Sequence, residues 1–247
     1  MILDMPQDIE VTLKSLKSNH FDARFAQTRA EARRLMLEMI PPTCSVGIGD
    51  SVTLRQIGII EALIQRGNEV INPFTRELSQ GTAEKPANRT LFQQMQRRIF
   101  SSDVFLTSSN ALTRDGKIVS VDYAGNRVAG MIFGSNKIIL PIGRNKIVPD
   151  VDSALKRIKD VLAPVHARQK EIKTPCAITG KCIDCDSPGR ICNVTIILEK
   201  KPGPIDYSII LINEDLGLGW DPAWDEKRIS AIRSDYSQNT WTFFKSK

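Results

Sequence analysis

Long apolar runs are missing from this sequence: no stretch reaches the about 18 consecutive apolar residues that a membrane helix requires. The opening residues, MILDMPQDIE, carry acids where a secretory leader would carry positive charge. These two absences give a cytoplasmic expectation with no membrane span. Histidine is scarce, with two in 247 residues, and both His20 and His166 fall in stretches that read as ordinary helix, away from the glycine turns. No Ser–His–Asp constellation or nucleophile elbow can be built, so the sequence leaves catalytic residues unknown. Aromatic residues make up only 6% and are not interleaved with basic ones, which removes a base-stacking platform. Internal repeats are also lacking.

What is present fits an ordinary globular chain, with 41% hydrophobic and 25% charged residues. The net charge is +6, but the basic residues sit beside acids on helix faces, as in EARR at 31–34. An anionic small molecule or an acidic partner therefore suits the chain better than nucleic acid.

Hydrophobic periodicity predicts a helix over residues 8–40, with Phe21, Phe25, Thr28, Ala32, Leu35 and Met39 on one stripe, ended by Pro41-Pro42. Strands are expected at 44–49, at EVINPF, and at 103–109, 117–122 and 137–143, alternating with helices at 53–66, 85–100, 126–133 and 151–170. The runs VTIILE and YSIILIN read as further strands or a hairpin, and a helix is expected around 225–233. The alternation predicts an α/β fold in which helices cover a sheet. The expected organisation is an N-terminal helical segment (1–40), an α/β domain (41–215) with a Cys-rich loop at 174–193, and a C-terminal arm (216–247). That arm holds all three tryptophans.

Four of the five cysteines fall within seventeen residues: Cys176, Cys182, Cys185 and Cys192, spaced C-x5-C-x2-C-x6-C. Disulfides fit poorly with the absence of secretion signals. Four thiolates suit zinc, for which the Cys182–Cys185 pair has the right bite, or an iron–sulfur cluster. The spacing matches neither the usual ferredoxin nor the zinc-ribbon pattern. Lys181 and Arg190 would help to hold the thiolates ionised. Cys44 opens a strand and reads as a small core residue.

Two strand-to-helix turns are rich in glycine. Gly47-Ile48-Gly49-Asp50-Ser51-Val52-Thr53 lacks the third glycine of a dinucleotide fingerprint and the Gly-Lys-Ser/Thr of a P-loop. Its backbone could approach an anion at the helix start, or Asp50 or Ser51 could simply cap that helix. In the second turn, Gly125, Asn126 and Arg127 open a helix, where a cation opposes the dipole unless it faces an anion. Asn110, and Asn145 with Lys146, lie near expected strand C-termini, where ligands gather in open α/β sheets. The candidate ligand residues are therefore Gly47, Gly49, Asp50, Ser51, Thr53, Asn110, Gly125, Asn126, Arg127, Asn145 and Lys146.

The stretches GIGDSVTLRQIGIIEAL, ALTRDGKIVSVDYAGNRVAGMIFGSNKIILPIGRNKIV and TPCAITGKCIDCDSPGRICNVTII, in this order, resemble the LUD (lactate utilisation) domain family. The resemblance spans roughly residues 8–215 and is closest to a short subgroup with a four-cysteine insertion. It implies the fold of ribose-phosphate isomerases, glucosamine-phosphate deaminases and CoA transferases, with Gly47–Thr53 bordering the ligand site. It also implies bacterial lactate oxidation beside iron–sulfur oxidoreductase subunits. The expected cofactor is an iron–sulfur cluster, with [4Fe–4S] favoured and zinc the alternative.

Three functions compete. The first is an accessory or electron-transfer subunit of a lactate or organic-acid system. The second is a stand-alone enzyme acting on a phosphorylated or CoA-linked molecule, and the third a zinc-stabilised regulatory or interaction module. Homo-oligomerisation is left open. With no complete dinucleotide fingerprint and no evident histidine base, the chain alone is not expected to oxidise lactate.

Overall fold

The computed structural model describes residues 5–81 and 86–242. The strands are β1 (Asp22–Ala26), β2 (Val46–Ile48), β3 (Val70–Ile71), β4 (Val104–Leu106), β5 (Ala111–Thr113), β6 (Ile118–Asp122), β7 (Lys137–Gly143), β8 (Ile147–Val148), β9 (Val194–Leu198) and β10 (Asp206–Ile212). The helices are α1 (Gln7–Ser18), α2 (Arg29–Met39), α3 (Val52–Ile57), α4 (Ile59–Arg66), α5 (Arg76–Gly81), α6 (Pro86–Arg98), α7 (Asn126–Ile132), α8 (Val151–Arg157), α9 (Ala163–Gln169), α10 (Pro175–Thr179) and α11 (Glu226–Gln238).

Six strands form a parallel sheet in the order β1-β10-β7-β4-β2-β3, and four form a smaller mixed sheet in the order β8-β5-β6-β9. The protein is thus α/β, with helices on both faces of the parallel sheet. Strand β7, KIILPIG, is apolar almost without interruption because it is covered on both sides. Its Ile138, Leu140 and Ile142 enter a core with Ile9, Leu13 and Leu16 of α1, whereas Ile139 joins Met36, Leu54 and Leu63 on the other face. A third core joins the small sheet to the segment 151–162 and to Ile229, Ile232 and Tyr236 of α11.

Several expected elements are divided. The helix expected over 8–40 contains β1, because His20 turns the chain at φ 68° and Asp22–Ala26 then pairs in register with Ser208–Ile212 of β10. His20 is accordingly a turn residue and not a helical one. Gly58, at φ 70°, splits the expected helix at 53–66 into α3 and α4. A π-helical turn, Ile158–Leu162, separates α8 from α9. The runs VTIILE and YSIILIN are not a hairpin: β9 joins the small sheet and β10 the large one. Lys85, which opens the expected helix at 85–100, lies outside the described residues.

The C-terminal ends of β2, β4, β7 and β10 meet at one edge. Segment 214–220 crosses this edge, tied down at Asn145: its amide nitrogen donates to Gly219 O at 3.0 Å and its Oδ1 accepts from Leu216 N at 2.9 Å. Asn145 is fully buried. Asn145→Ala should cost about 2–3 kcal/mol, the loss of two buried hydrogen bonds that leaves backbone groups unpaired, read by urea denaturation.

Candidate functional site

At the strand-end edge the two glycine turns are linked through residues of other elements. Lys146 follows β7, and its Nζ donates to Thr53 Oγ1 of α3 at 2.9 Å and to Ser108 Oγ beyond β4 at 2.8 Å. Ser108 Oγ in turn donates to Pro141 O at 2.7 Å. The Ser108 carbonyl accepts from the Arg127 guanidinium at 2.8 Å. Arg127 also donates to Asn110 Oδ1 at 3.0 Å and to Val121 O at 2.7 Å, with Asp122 at 3.9 Å. The cation near the start of α7 therefore has acceptors from the protein itself. Asp122 Oδ2 accepts from the backbone N–H of Arg127 and Val128, at 3.0 and 3.2 Å, and so caps that helix.

Gly125 stands before α7 at φ 85°, with Asn126 the first helical residue. Ser51 occupies the cap position of α3 without a side-chain hydrogen bond. Asp50 binds Arg55 and lies 3.9 Å from Lys170 Nζ. Burial alone would raise the Asp50 carboxyl, but Arg55 and Lys170 outweigh it and bring it down to about 2. Burial lowers the Lys170 ammonium to about 8, against the opposing pull of Asp50.

His166, on α9, belongs to the same group. Its Nδ1 pairs with the Tyr236 hydroxyl of α11, and Asp50, Lys170, Arg127 and Arg55 all act on its charge. The histidine read from sequence as remote from the glycine turns is therefore close to the first of them. Burial, followed by the Lys170 cation, depresses the imidazole to about 4. An ordinary unfolded histidine titrates near 6.5, so the unfolded chain binds the extra proton between pH 6.5 and about 4. Stability should fall as pH drops through that window, and His166→Gln should flatten the fall in a series of thermal melts.

The cysteines form a second centre. Cys176, Cys182, Cys185 and Cys192, all free, line one pocket of ≈ 270 Å³. Val121 and Thr195 of the small sheet and Leu155 and Ile158 also line it. Asp184 adopts φ 50°, and its backbone N–H donates to Cys182 Sγ at 3.4 Å. This turn folds the Cys182–Cys185 pair back on itself. Arg190 spans the loop, donating to Cys185 O at 2.8 Å, to Cys192 O at 3.4 Å and to Asp184 Oδ1 at 2.8 Å. Burial raises the Cys192 thiol, Arg190 opposes the rise, and the other three cysteines add to it.

The donors fit a thiolate-bound centre in type and number. As their side chains lie, however, no three of the His, Cys, Asp or Glu side chains among the described residues form a group able to hold a metal ion. The pocket gathers the sulfurs without closing them into a coordination sphere. Cys44 lies apart, packed against the core beside α2 and α4.

Sequence reasoning passed over Ser108, Lys170, Arg55, Gln56 and Tyr236. Ser108 alone carried a signal, as one of the polar residues that end the expected strand DVFLTSS at 103–109; in the structure that strand, β4, stops at Leu106.

A parallel α/β sheet with a polar strand-end edge and a separate cysteine loop defines the class of the molecule. A family model described as the LUD domain matches residues 9–212, and the chain belongs to the LUD domain family. A search of curated proteins returns no match. The family's name associates it with lactate utilisation. Strand β1 lies inside the matched region, whereas α11 lies beyond it. No helix among the described residues is long and apolar enough to cross a membrane.

Proposed function

We propose that this chain is an accessory or electron-transfer subunit of a lactate or organic-acid utilisation system, with an iron–sulfur cluster on Cys176, Cys182, Cys185 and Cys192. The observation that carries the reading is that all four thiols, drawn from a loop with little regular structure, line a single pocket. Such a loop orders its own backbone weakly, and a shared centre gives it a reason to converge. When bound, a cluster of the [4Fe–4S] type would supply one-electron transfer.

The chain's own residues serve that centre in three ways. The Asp184 N–H donates to the Cys182 sulfur and so fixes its position in the pocket. Arg190 fixes the carbonyls of Cys185 and Cys192 and places positive charge beside a site of four negative ligands. Lys159, 3.9 Å from Asp184, lines the same pocket and adds to that charge. The half-buried thiols lie close enough to the surface for electrons to reach a partner, for which iron–sulfur oxidoreductase subunits are the fitting class.

Anaerobic purification tests the reading. The protein should show broad visible absorbance that bleaches on reduction with dithionite. Colourless protein that carries zinc would assign the loop to a structural role instead.

A further inference from the structure

Lys146 is a buried amine for which the electron-transfer reading has no use. It is 4% exposed, and no carboxylate lies within ion-pair distance of it among the described residues. Its two acceptors are the neutral hydroxyls of Thr53 and Ser108, and the charge acting on it from nearby is the cation of Arg127. A buried lysine is ordinarily matched by an acid, because an unpaired buried ammonium is costly. Here the surroundings favour the neutral amine. Burial, reinforced by Arg127, brings it down to about 7. A desolvated lysine beside another cation is a nucleophile near neutral pH.

The position is also that of a ligand site. Lys146 stands where β2, β4 and β7 of the parallel sheet end, the edge at which α/β sheets bind small molecules. Gly217 covers it so closely that a Cβ there would lie 2.6 Å from Thr53 Oγ1 and 2.9 Å from Lys146 Nζ. Gly217 and Gly219 have φ of 70° and 147°, and the Gly217 N–H is held by Gln56 Oε1 at 2.6 Å. The covering strap is therefore backbone with no side chain directly above the amine. A ligand reaches Nζ only with the strap displaced, at the cost of the Gln56 bond to Gly217.

We infer that Lys146 is a covalent binding site for a short α-oxo acid, held as an imine under the strap that contains Gly217. The amine lone pair adds to the carbonyl carbon to form the C–N bond. The two nitrogen protons then leave with the carbonyl oxygen as water, giving C=N, with no oxidant or reductant consumed. The Ser108 hydroxyl, whose proton is committed to Pro141 O, offers the amine only lone pairs. The Thr53 hydroxyl accepts from Nζ and can pass its own proton to the departing oxygen. Arg127 gives the edge the positive field that a carboxylate favours. The choice of an α-oxo acid, the oxidised form of an α-hydroxy acid such as lactate, rests on the lactate reading. The nucleophilic amine does not.

The test is reductive trapping of the full chain with pyruvate and sodium borohydride, followed by intact mass and peptide mapping. The expected result is one borohydride-dependent adduct, heavier by pyruvate less one oxygen, on the peptide containing Lys146. It should be lost in Lys146→Met and Lys146→Arg. Peptide mapping of the unaltered chain decides the matter even where neither variant folds. No adduct, or adducts spread over surface lysines and unchanged in the variants, would overturn the inference. Either result leaves the cluster reading intact, since that is judged by visible absorbance and not by trapping.

Discussion

Replacing Cys185 with serine should remove at least about nine-tenths of the iron bound by anaerobically prepared protein, in line with the strong dependence of metal sites on each ligand. The same loss is expected for Cys176, Cys182 and Cys192, since all four line one pocket. Cys44→Ser is the internal control: it packs against the core of α2 and α4, away from the loop, and should keep the full complement. The parallel sheet does not depend on the loop, so the far-ultraviolet circular dichroism of the four loop variants should match that of the parent. Retention of iron in two or more of the four would separate the cysteines into independent thiols. Arg190→Ala should have a milder effect, with faster cluster loss than the parent on exposure to air but no change in cluster type, because it holds carbonyls and charge and no sulfur.

The largest expected loss of stability comes from Gly47→Val. Gly47 lies in the middle strand pairing of β2, between β3 and β4. A Cβ at this position would stand 2.5 Å from Ser102 Oγ and 2.6 Å from the backbone oxygen of Ile99. Neither neighbour can yield easily. The oxygen belongs to the 3-10 turn Ile99–Ser101, and Ser102 Oγ is buried with bonds to Ile99 O at 2.7 Å and Val104 O at 3.0 Å. Valine would force β2 away from that turn and break the order of the sheet. A destabilisation above about 4 kcal/mol is expected, in the range reserved for severe core disruption, and the readout is soluble yield together with a urea midpoint. A midpoint within error of the parent would mean that the turn at Ile99 is free to move.

Gly47 also illustrates how far the sequence could be read. From the sequence it is one of two glycines in a strand-to-helix turn, equally suited to ligand approach or to close packing. The structure supplies a packing cause, the turn at Ile99, which is fifty-two residues away and invisible to local pattern. Strand β7 was legible to the residue, because its apolar run IILPI is opened by Lys137 and closed by Gly143. Strand β1 was not. DARFA has too little apolar character to stand out, and its pairing partner β10 follows it by more than 180 residues. Its Phe25 and the flanking Phe21 happen to fit a helical stripe.

The four cysteines stood out by density alone, whereas their meeting in one pocket is a tertiary fact that a seventeen-residue loop, long enough to spread them, does not dictate. The polar edge was only half legible. Thr53, Asn110, Arg127, Asn145 and Lys146 each follow an expected strand or open an expected helix, so position marked them. Ser108, which joins Lys146 to Arg127, and His166 and Lys170, which stand with Tyr236 and Asp50, were not marked in this way. His166 is placed by its contact with Tyr236 of α11 and lies within reach of the charge of Asp50, a tertiary fact with no trace in the run APVHARQ.

The most direct test of the central claim is elemental and sulfide analysis of the protein purified without exposure to air. An iron–sulfur centre on Cys176, Cys182, Cys185 and Cys192 predicts iron and acid-labile sulfide in equal amounts. Zinc without sulfide, or neither metal nor sulfide in folded protein, would contradict it.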